Sequence, residues 1–480
     1  MSDAHAKQLL TVTVIALLVA CGTVRAQGWT QFRGPGRKNS TDESIHVDRW
    51  PEGGPPLAWS APVGSGNGTV VVQGVRGYIL GRLPIPDSKL NPRSHAREVL
   101  SCVDLSDGTI LWQRTVHPQF RVQHSSPHTT PSIEGEHVYV HSNLGHVVCF
   151  SASDGKELWR RDLVEELGVE VKKYGTTSST LVRDGRVYVI AMTEKVERGN
   201  GVGVFAFDRL TGEDAWQRRF DVTGQTPHSS PVWGIVDGRP TVLCHLSEVV
   251  VGLEPETGEL LWKLDYIETF FPDGKRGRVY SSESWPLVME DGLILDRIWN
   301  DVPSKECESR AAGSLGRVVA FRVRDGEPEV VWTNEDVSPY FLGMQPWNGY
   351  IYCLNNKHMS DGYQWAKDKL VCLEVATGRL MWKSRDWPIP GINEGVRGWE
   401  RTADPAMTVA GGVLIIADKR EMVVVDCDPR ECSRLAAFRR DLNRWSMPVV
   451  AGGRLYLRVG GRPGELLCYD VSGEWATASE

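Results

Sequence analysis

One hairpin signature repeated along the chain, a second pair of strand signals ahead of most copies, and Trp-to-Trp intervals of 47 residues (Trp112 to Trp159) and 46 residues (Trp216 to Trp262) predict an all-β fold. Such a period matches one four-stranded antiparallel blade, and the expected architecture is an eight-bladed β-propeller, with seven blades as the alternative.

The copies read in order. Val103-Asp-Leu-Ser-Asp-Gly-Thr-Ile-Leu-Trp112 is the first, followed by Phe150-Ser-Ala-Ser-Asp-Gly-Lys-Glu-Leu-Trp159 and Phe207-Asp-Arg-Leu-Thr-Gly-Glu-Asp-Ala-Trp216. Leu253 to Trp262 and Leu373 to Trp382 repeat the pattern, and a stretched copy runs from Phe321 through Asp325-Gly326 to Trp332. A degenerate copy spans Val425 to Phe438, where Phe replaces Trp, and Tyr469-Asp-Val-Ser-Gly473 stops before its last strand. In each full copy an apolar strand meets Asp-Gly or Thr-Gly, whose glycine supplies the positive φ of a tight turn, and a second strand ends in an aromatic.

Ahead of these hairpins lie segments such as Gly135-Glu-His-Val-Tyr-Val140, Gly185-Arg-Val-Tyr-Val189 and Gly453-Arg-Leu-Tyr-Leu457, preceded by pairs such as Ser126-Pro127, Ser230-Pro231 and Trp285-Pro286. They supply the two inner strands of each blade. The eighth hairpin lacks its outer strand, and Leu57-Ala-Trp59-Ser-Ala-Pro-Val63 is an orphan strand at the other end of the chain. Pairing the two closes the ring and removes both free edges. The expected organisation is a signal peptide over 1–26, an N-terminal extended segment over 27–56, the propeller over 57–473 and a C-terminal tail over 474–480.

The N-terminus has the form of an export signal: Lys7 precedes the apolar run Leu9 to Ala20, too short to span a bilayer. Two cleavage readings stand. Val24-Arg25-Ala26 suits an ordinary signal peptide, whereas Leu18-Val19-Ala20-Cys21 resembles a lipobox in which Cys21 is lipidated. The expected location is the periplasm or cell envelope, with membrane contact only through such an anchor. A formal charge of -7 and pI near 6.0, with no long Lys/Arg run, exclude nucleic acid as the default partner. Cys102, Cys149, Cys372 and Cys468 share one repeat position, too far apart between blades to bridge, and are expected as small core residues. Cys427 and Cys432 flank one turn, and a disulfide or two free thiols are both open.

The Asp-x-x-Thr-Gly-x-x-x-Trp repeat resembles the tryptophan-docking motif of pyrroloquinoline-quinone-type (PQQ-like) propellers, a superfamily that holds quinoprotein alcohol dehydrogenases and the outer-membrane assembly lipoprotein BamB. The resemblance spans about residues 57 to 473, and Trp29-Thr-Gln-Phe-Arg-Gly-Pro-Gly36 resembles the start of secreted bacterial members. It implies that Trp112, Trp159, Trp216, Trp262, Trp332 and Trp382 stack against neighbouring blades and are structural.

Residues just ahead of the innermost strands gather at one mouth of a propeller channel. Here they include His124, Tyr174, His228, Glu283, Trp285, Gln345, Arg401 and Trp445. One reading is that these polar groups satisfy strand ends and channel waters, as does His128; the other is a pocket for a small polar or planar ligand. The resemblance also raises a PQQ cofactor with calcium, for which Glu283, Asn300 and Asp301 offer hard oxygen donors. Against it, the chain lacks the adjacent Cys-Cys pair of many such enzymes. Three insertions, about 82–98, 297–316 and 355–369, are expected as recognition loops. The function expected first is therefore non-catalytic binding or scaffolding of a protein, an envelope component or a small ligand, with no cofactor. A quinoprotein dehydrogenase and a carbohydrate-binding or carbohydrate-active propeller are the alternatives.

Overall fold

A computed structural model describes residues 28–85, 96–120, 127–172, 175–194, 200–222, 228–270, 278–279, 285–298, 300–301, 317–339, 343–355, 369–384, 405–417, 421–440, 446–459 and 464–474. Eight antiparallel blades form a β-propeller. Blade 1 consists of Val71–Gln73, Arg76–Pro84, Ala96–Asp104 and Ile110–Phe120, from the axis outward. Blades 2 to 7 follow in chain order, with innermost strands Ser132–Glu134, Leu181–Arg183, Val232–Val236, Leu287–Val288, Gln345–Trp347 and Ala406–Ala410. Blade 8 contains Val449–Ala451, Arg454–Val459 and Glu465–Asp470, and the N-terminal Leu57–Pro62 is its outer strand, paired antiparallel with Glu465–Asp470. The ring closes as expected.

The Trp of each repeat explains several neighbours at once. In the Trp-bearing outer hairpins the register slips by one residue just before the aromatic, so that Leu111 and Leu158, for example, bulge outward and remain exposed; in blade 7 the slip falls at Leu435, ahead of Ala436. The following ring lies over the next blade. Opposite it stands a small residue: Cys102 faces Trp112, Cys149 faces Trp159, Cys372 faces Trp382, and Gly252 faces Trp262. A Cβ on Gly252 would come within 2.2 Å of the indole, so the small side chain there is a steric requirement. The repeated cysteines are fully buried free thiols.

Trp59, Trp112, Trp159, Trp216 and Trp332 each cover a turn glycine of the next blade, and all of them but Trp112 also hydrogen-bond there; Trp382 docks on the Asp428 carbonyl without a glycine. Trp159 packs on Gly212 (φ 74) and Trp216 on Gly258 (φ 70), where left-handed backbone and the absence of a Cβ are both needed. The indole N–H then donates to the carbonyl three residues earlier, Trp159 to Arg209 at 3.0 Å and Trp216 to Pro255 at 2.8 Å. Trp59 of the closing strand does the same to Leu105 at 3.0 Å across the seam between chain ends. The stretched copy departs from this. Its hairpin turns on Asp325 (φ 52) and Gly326 (φ 81), a two-residue I′ form, and the Trp262 indole finds no acceptor there. Beside that turn a cleft of about 470 Å³ opens between blades 4 and 5, lined by Ile235, Asp237, Asp291, Arg322 and Arg324 among others.

Among the described residues no helix is long and apolar enough to cross a membrane.

Candidate functional site at the channel mouth

The axis is filled by the chain itself. Residues 28–41, expected only as an extended segment, run between the innermost strands and use their inner edges in turn. Val72 of blade 1 and Ile133 of blade 2 donate N–H groups to the Trp29 and Thr30 carbonyls, both at 2.8 Å. Arg37 donates to the Thr180 carbonyl of blade 3 and, at 2.8 Å, to the Pro231 carbonyl of blade 4. Arg33 reaches the Trp285 carbonyl of blade 5 at 3.5 Å and the Met344 carbonyl of blade 6 at 3.1 Å. The Asn39 amide donates to Met407, and Ser40–Thr41 then adds a parallel strand to Ala406–Ala410 of blade 7. Trp29 packs beneath Gly34 (φ 66), repeating on the axis the Trp-on-Gly contact of the blades.

This plug is conformationally expensive. Arg33, Arg37 and Asn39 all adopt left-handed φ of 64°, 55° and 55°, a region that non-glycine residues avoid. Both guanidiniums are buried, and desolvation lowers their pKa values to about 10 for Arg33 and about 9 for Arg37, the latter also repelled by Arg33. Both remain charged at neutral pH.

One residue above the Arg37 carbonyl contacts lies a hydroxyl relay. The Thr69 N–H donates to Thr130 Oγ1 at 3.0 Å, the Thr130 N–H to Ser179 Oγ at 2.9 Å, and the Ser179 N–H to Ser230 Oγ at 2.9 Å. Ser446 Oγ donates to the Gly68 carbonyl at 3.3 Å and joins blade 8 to blade 1. A Ser or Thr ahead of an innermost strand therefore satisfies a neighbouring blade's backbone, which favours the strand-end reading for this layer. His128 joins it, with its N–H on Asn143 Oδ1 at 2.9 Å and its Nδ1 3.0 Å from Asn67 Nδ2. His228 is partly buried at the same mouth; burial, then the nearby His128, lowers its pKa to about 3.

Polar groups also sit between blades at the mouth-side ends of the second strands. His245 Nδ1 lies 2.6 Å from Asp296 Oδ2, which accepts from the Tyr266 hydroxyl at 2.7 Å, all fully buried across the blade 4–5 boundary. Arg458 joins blade 8 to blade 1 through the Gly64, Gly68 and Leu80 carbonyls. Glu98 is fully buried between blades 1 and 2, where it accepts from the Ser142 hydroxyl and from the Asn143 N–H at 3.1 Å. Burial outweighs these donors and raises its pKa to about 7.

Of the residues the sequence placed at the mouth, His228, Trp285 and Gln345 are described; His124, Tyr174, Glu283, Arg401 and Trp445 lie outside the described residues, as does Cys21. Gln345 is fully buried on the innermost strand of blade 6. Trp285 does not stand clear in the channel: Phe32 of the plug meets it edge-on at 5.3 Å, and Arg33 Cζ lies 6.0 Å from its ring centroid. Among the described residues no three His, Cys, Asp or Glu side chains come together as metal ligands. Asn300–Asp301 forms a short ribbon with Arg278–Val279. Cys427 and Cys432 are free, partly exposed thiols in this structure. Much of the three insertions also falls outside the described residues.

The family model described as outer membrane protein assembly factor BamB matches residues 96–384, more than half of the chain. The chain belongs to this family. The matched BamB segment runs from the third strand of blade 1 to the end of blade 6, and leaves both the plug and the closing strand outside it. The fold agrees with BamB from Moraxella catarrhalis (TM-score 0.51, 13% identity, covering 81% of this chain and 95% of that one). It agrees at higher TM-scores with quinohemoprotein alcohol dehydrogenase from Comamonas testosteroni (TM-score 0.60, 14% identity, 95% and 82%) and with a europium-containing methanol dehydrogenase (TM-score 0.57, 11% identity, 92% and 98%). At such identities these likenesses establish the propeller fold alone. A comparison with curated protein sequences gave no match.

Proposed function

We propose that this BamB-family propeller is a non-catalytic scaffold that works outside the cytoplasm and presents its mouth face to a protein partner of the cell envelope. The observation that carries this reading is the plug. The central channel is occupied by the chain's own residues 28–41, anchored on blades 1 to 7, so the middle of the ring serves as core and the mouth rim is left for contact.

The quinoprotein reading is second. What weighs against it among the described residues is that the Trp285 ring is already packed by Phe32 and Arg33. One experiment with two arms separates the readings. Purified protein is mixed with PQQ and calcium, and cofactor absorbance and dye reduction are recorded; stoichiometric loading with turnover refutes the scaffold. In the second arm a photo-cross-linker replaces His228 in cells, and one discrete adduct is expected, absent when the cross-linker stands at exposed Val75 on the opposite face of blade 1. No adduct, or the same adducts at both positions, refutes docking at the mouth.

A further inference from the structure

Arg33 is 1% exposed, yet its guanidinium is incompletely engaged. Nη2 has a good acceptor in Met344, Nη1 has a long one in Trp285, and Nε has none. The neighbouring Trp285 indole N–H is also buried without an acceptor. Other buried donors of this propeller also lack acceptors, the Trp29 and Trp262 indoles among them, but here two lie on side chains in contact with each other, and a buried donor left unmade costs free energy.

The charge count at this point of the axis is equally one-sided. Arg37 spends its guanidinium on the Gln31 side chain and two carbonyls, and among the described residues neither it nor Arg33 forms an ion pair with a carboxylate. Buried cations are ordinarily paired. The left-handed backbone at Arg33 and Arg37 holds both heads on the axis despite their repulsion. Beside the orphaned donors is a small apolar wall of Phe32, Ala406 and Met447 packed with Trp285.

We infer that the propeller axis carries a binding site for a short-chain carboxylate, whose oxygens take Arg33 Nε and Trp285 Nε1 and whose carbon tail lies against Phe32, Ala406 and Met447. A planar two-oxygen acceptor suits the edge of a guanidinium next to a second N–H, and the charge-assisted contact supplies the anion that Arg33 and Arg37 lack. The half-buried Trp285 borders the mouth, which gives the ligand a way in. The site is independent of whether a protein docks on the rim.

The test is a thermal-unfolding titration of the purified protein with acetate and butyrate, and with sulfate and chloride as controls, at constant ionic strength. Binding to the native state raises the midpoint with concentration. The carboxylates are expected to raise it saturably and the controls not to. Saturation-transfer NMR on the butyrate methyl group should show direct contact. Trp285→Phe keeps an aromatic ring against Phe32 and removes the N–H with the rest of the five-membered ring, and should weaken the apparent affinity about fivefold. Arg33→Lys removes the fork and should weaken it by more than about tenfold; should that variant not fold, Trp285→Phe decides alone. Equal responses to all four anions, a sulfate-selective response, no response, or an unchanged titration in Trp285→Phe each overturn the inference and leave water as the partner of the orphaned donors.

Discussion

Glu98→Gln should abolish a pH dependence of stability that this one carboxyl creates. Its side chain is wholly removed from solvent between blades 1 and 2, with Ser142 and Asn143 as donors and Arg160 as a more distant positive charge. Burial raises its pKa from 4.5 to about 7. Below pH 4.5 the group is neutral in both states and costs nothing. Between 4.5 and 7 the native protein keeps a proton that the unfolded chain has released, so stability falls as pH rises. Above 7 both states are ionised and the loss is complete. At 1.36 kcal/mol per pKa unit the total is about 3 kcal/mol. Glutamine reproduces the neutral acid: its oxygen can keep the Asn143 N–H, and its amide can donate to Ser142 Oγ, whose second lone pair already serves the Leu144 N–H at 3.1 Å. The assay is urea denaturation of both proteins from pH 4 to 9. The variant should match the parent near pH 4 and exceed it by about 3 kcal/mol at pH 8. The difference curve cancels groups with the opposite trend, such as His141, whose burial lowers its pKa to about 4. Parallel curves for the two proteins between pH 4.5 and 7 would refute the assignment of the proton to Glu98.

Two further outcomes follow from the packing. Trp59→Ala removes a ring 8% exposed, its contact with Gly108 and its bond to Leu105, and should cost about 3 to 5 kcal/mol in urea denaturation. It should also expose the Glu465–Asp470 strand to proteolysis, and unchanged cleavage there would mean that the closing strand holds without its tryptophan. Burial raises the Cys432 thiol to a pKa of about 11 and also moves Cys427 upward, so iodoacetamide at pH 8 should label Cys432 about a hundredfold more slowly than an ordinary thiol and should label Cys427 slowly as well. Mass spectrometry in urea without reductant should then find both labelled; a requirement for reductant would mean a disulfide.

The fold was legible because its evidence is local. The hairpin signature names a turn glycine, a strand and a docking ring within about ten residues, and it recurs, so the blade count and the role of Leu57–Pro62 follow from the sequence. Even the repeated cysteines carried a readable meaning, small residues opposite a large ring. The plug was not legible. Arg33 pairs with Met344 and Arg37 with Thr180, partners that stand 311 and 143 positions away. No periodicity marks them, and a Gly-Pro-rich stretch with two arginines looks like any solvated lead-in. One signal was available: Trp29 and Gly34 repeat the Trp-and-Gly pairing of the blades. At the mouth, the pattern marks a layer ahead of the innermost strands but not its chemistry, since a serine that serves a neighbour's N–H and one that awaits a ligand are written alike. His228 and Trp285 do lie there, and Trp285 proves to belong as much to the plug as to the rim.

The plug also sets an order of events. Residues 28–41 and 57–62 leave the ribosome among the first, yet their partners include Met407, Val409 and Glu465–Asp470, among the last. Contacts of the plug with blades 1 and 2 can form early, but the Asn39 bond to Met407, the Ser40–Thr41 pairing on Ala406–Ala410 and the pairing of Leu57–Pro62 must wait for the last two blades. Contacts of such sequence separation form slowly because the intervening chain must first be gathered in. A molecule that loses its last blade keeps the plug, which rests on blades 1 to 7, but leaves Leu57–Pro62 without its partner strand Glu465–Asp470 and the ring with two open edges.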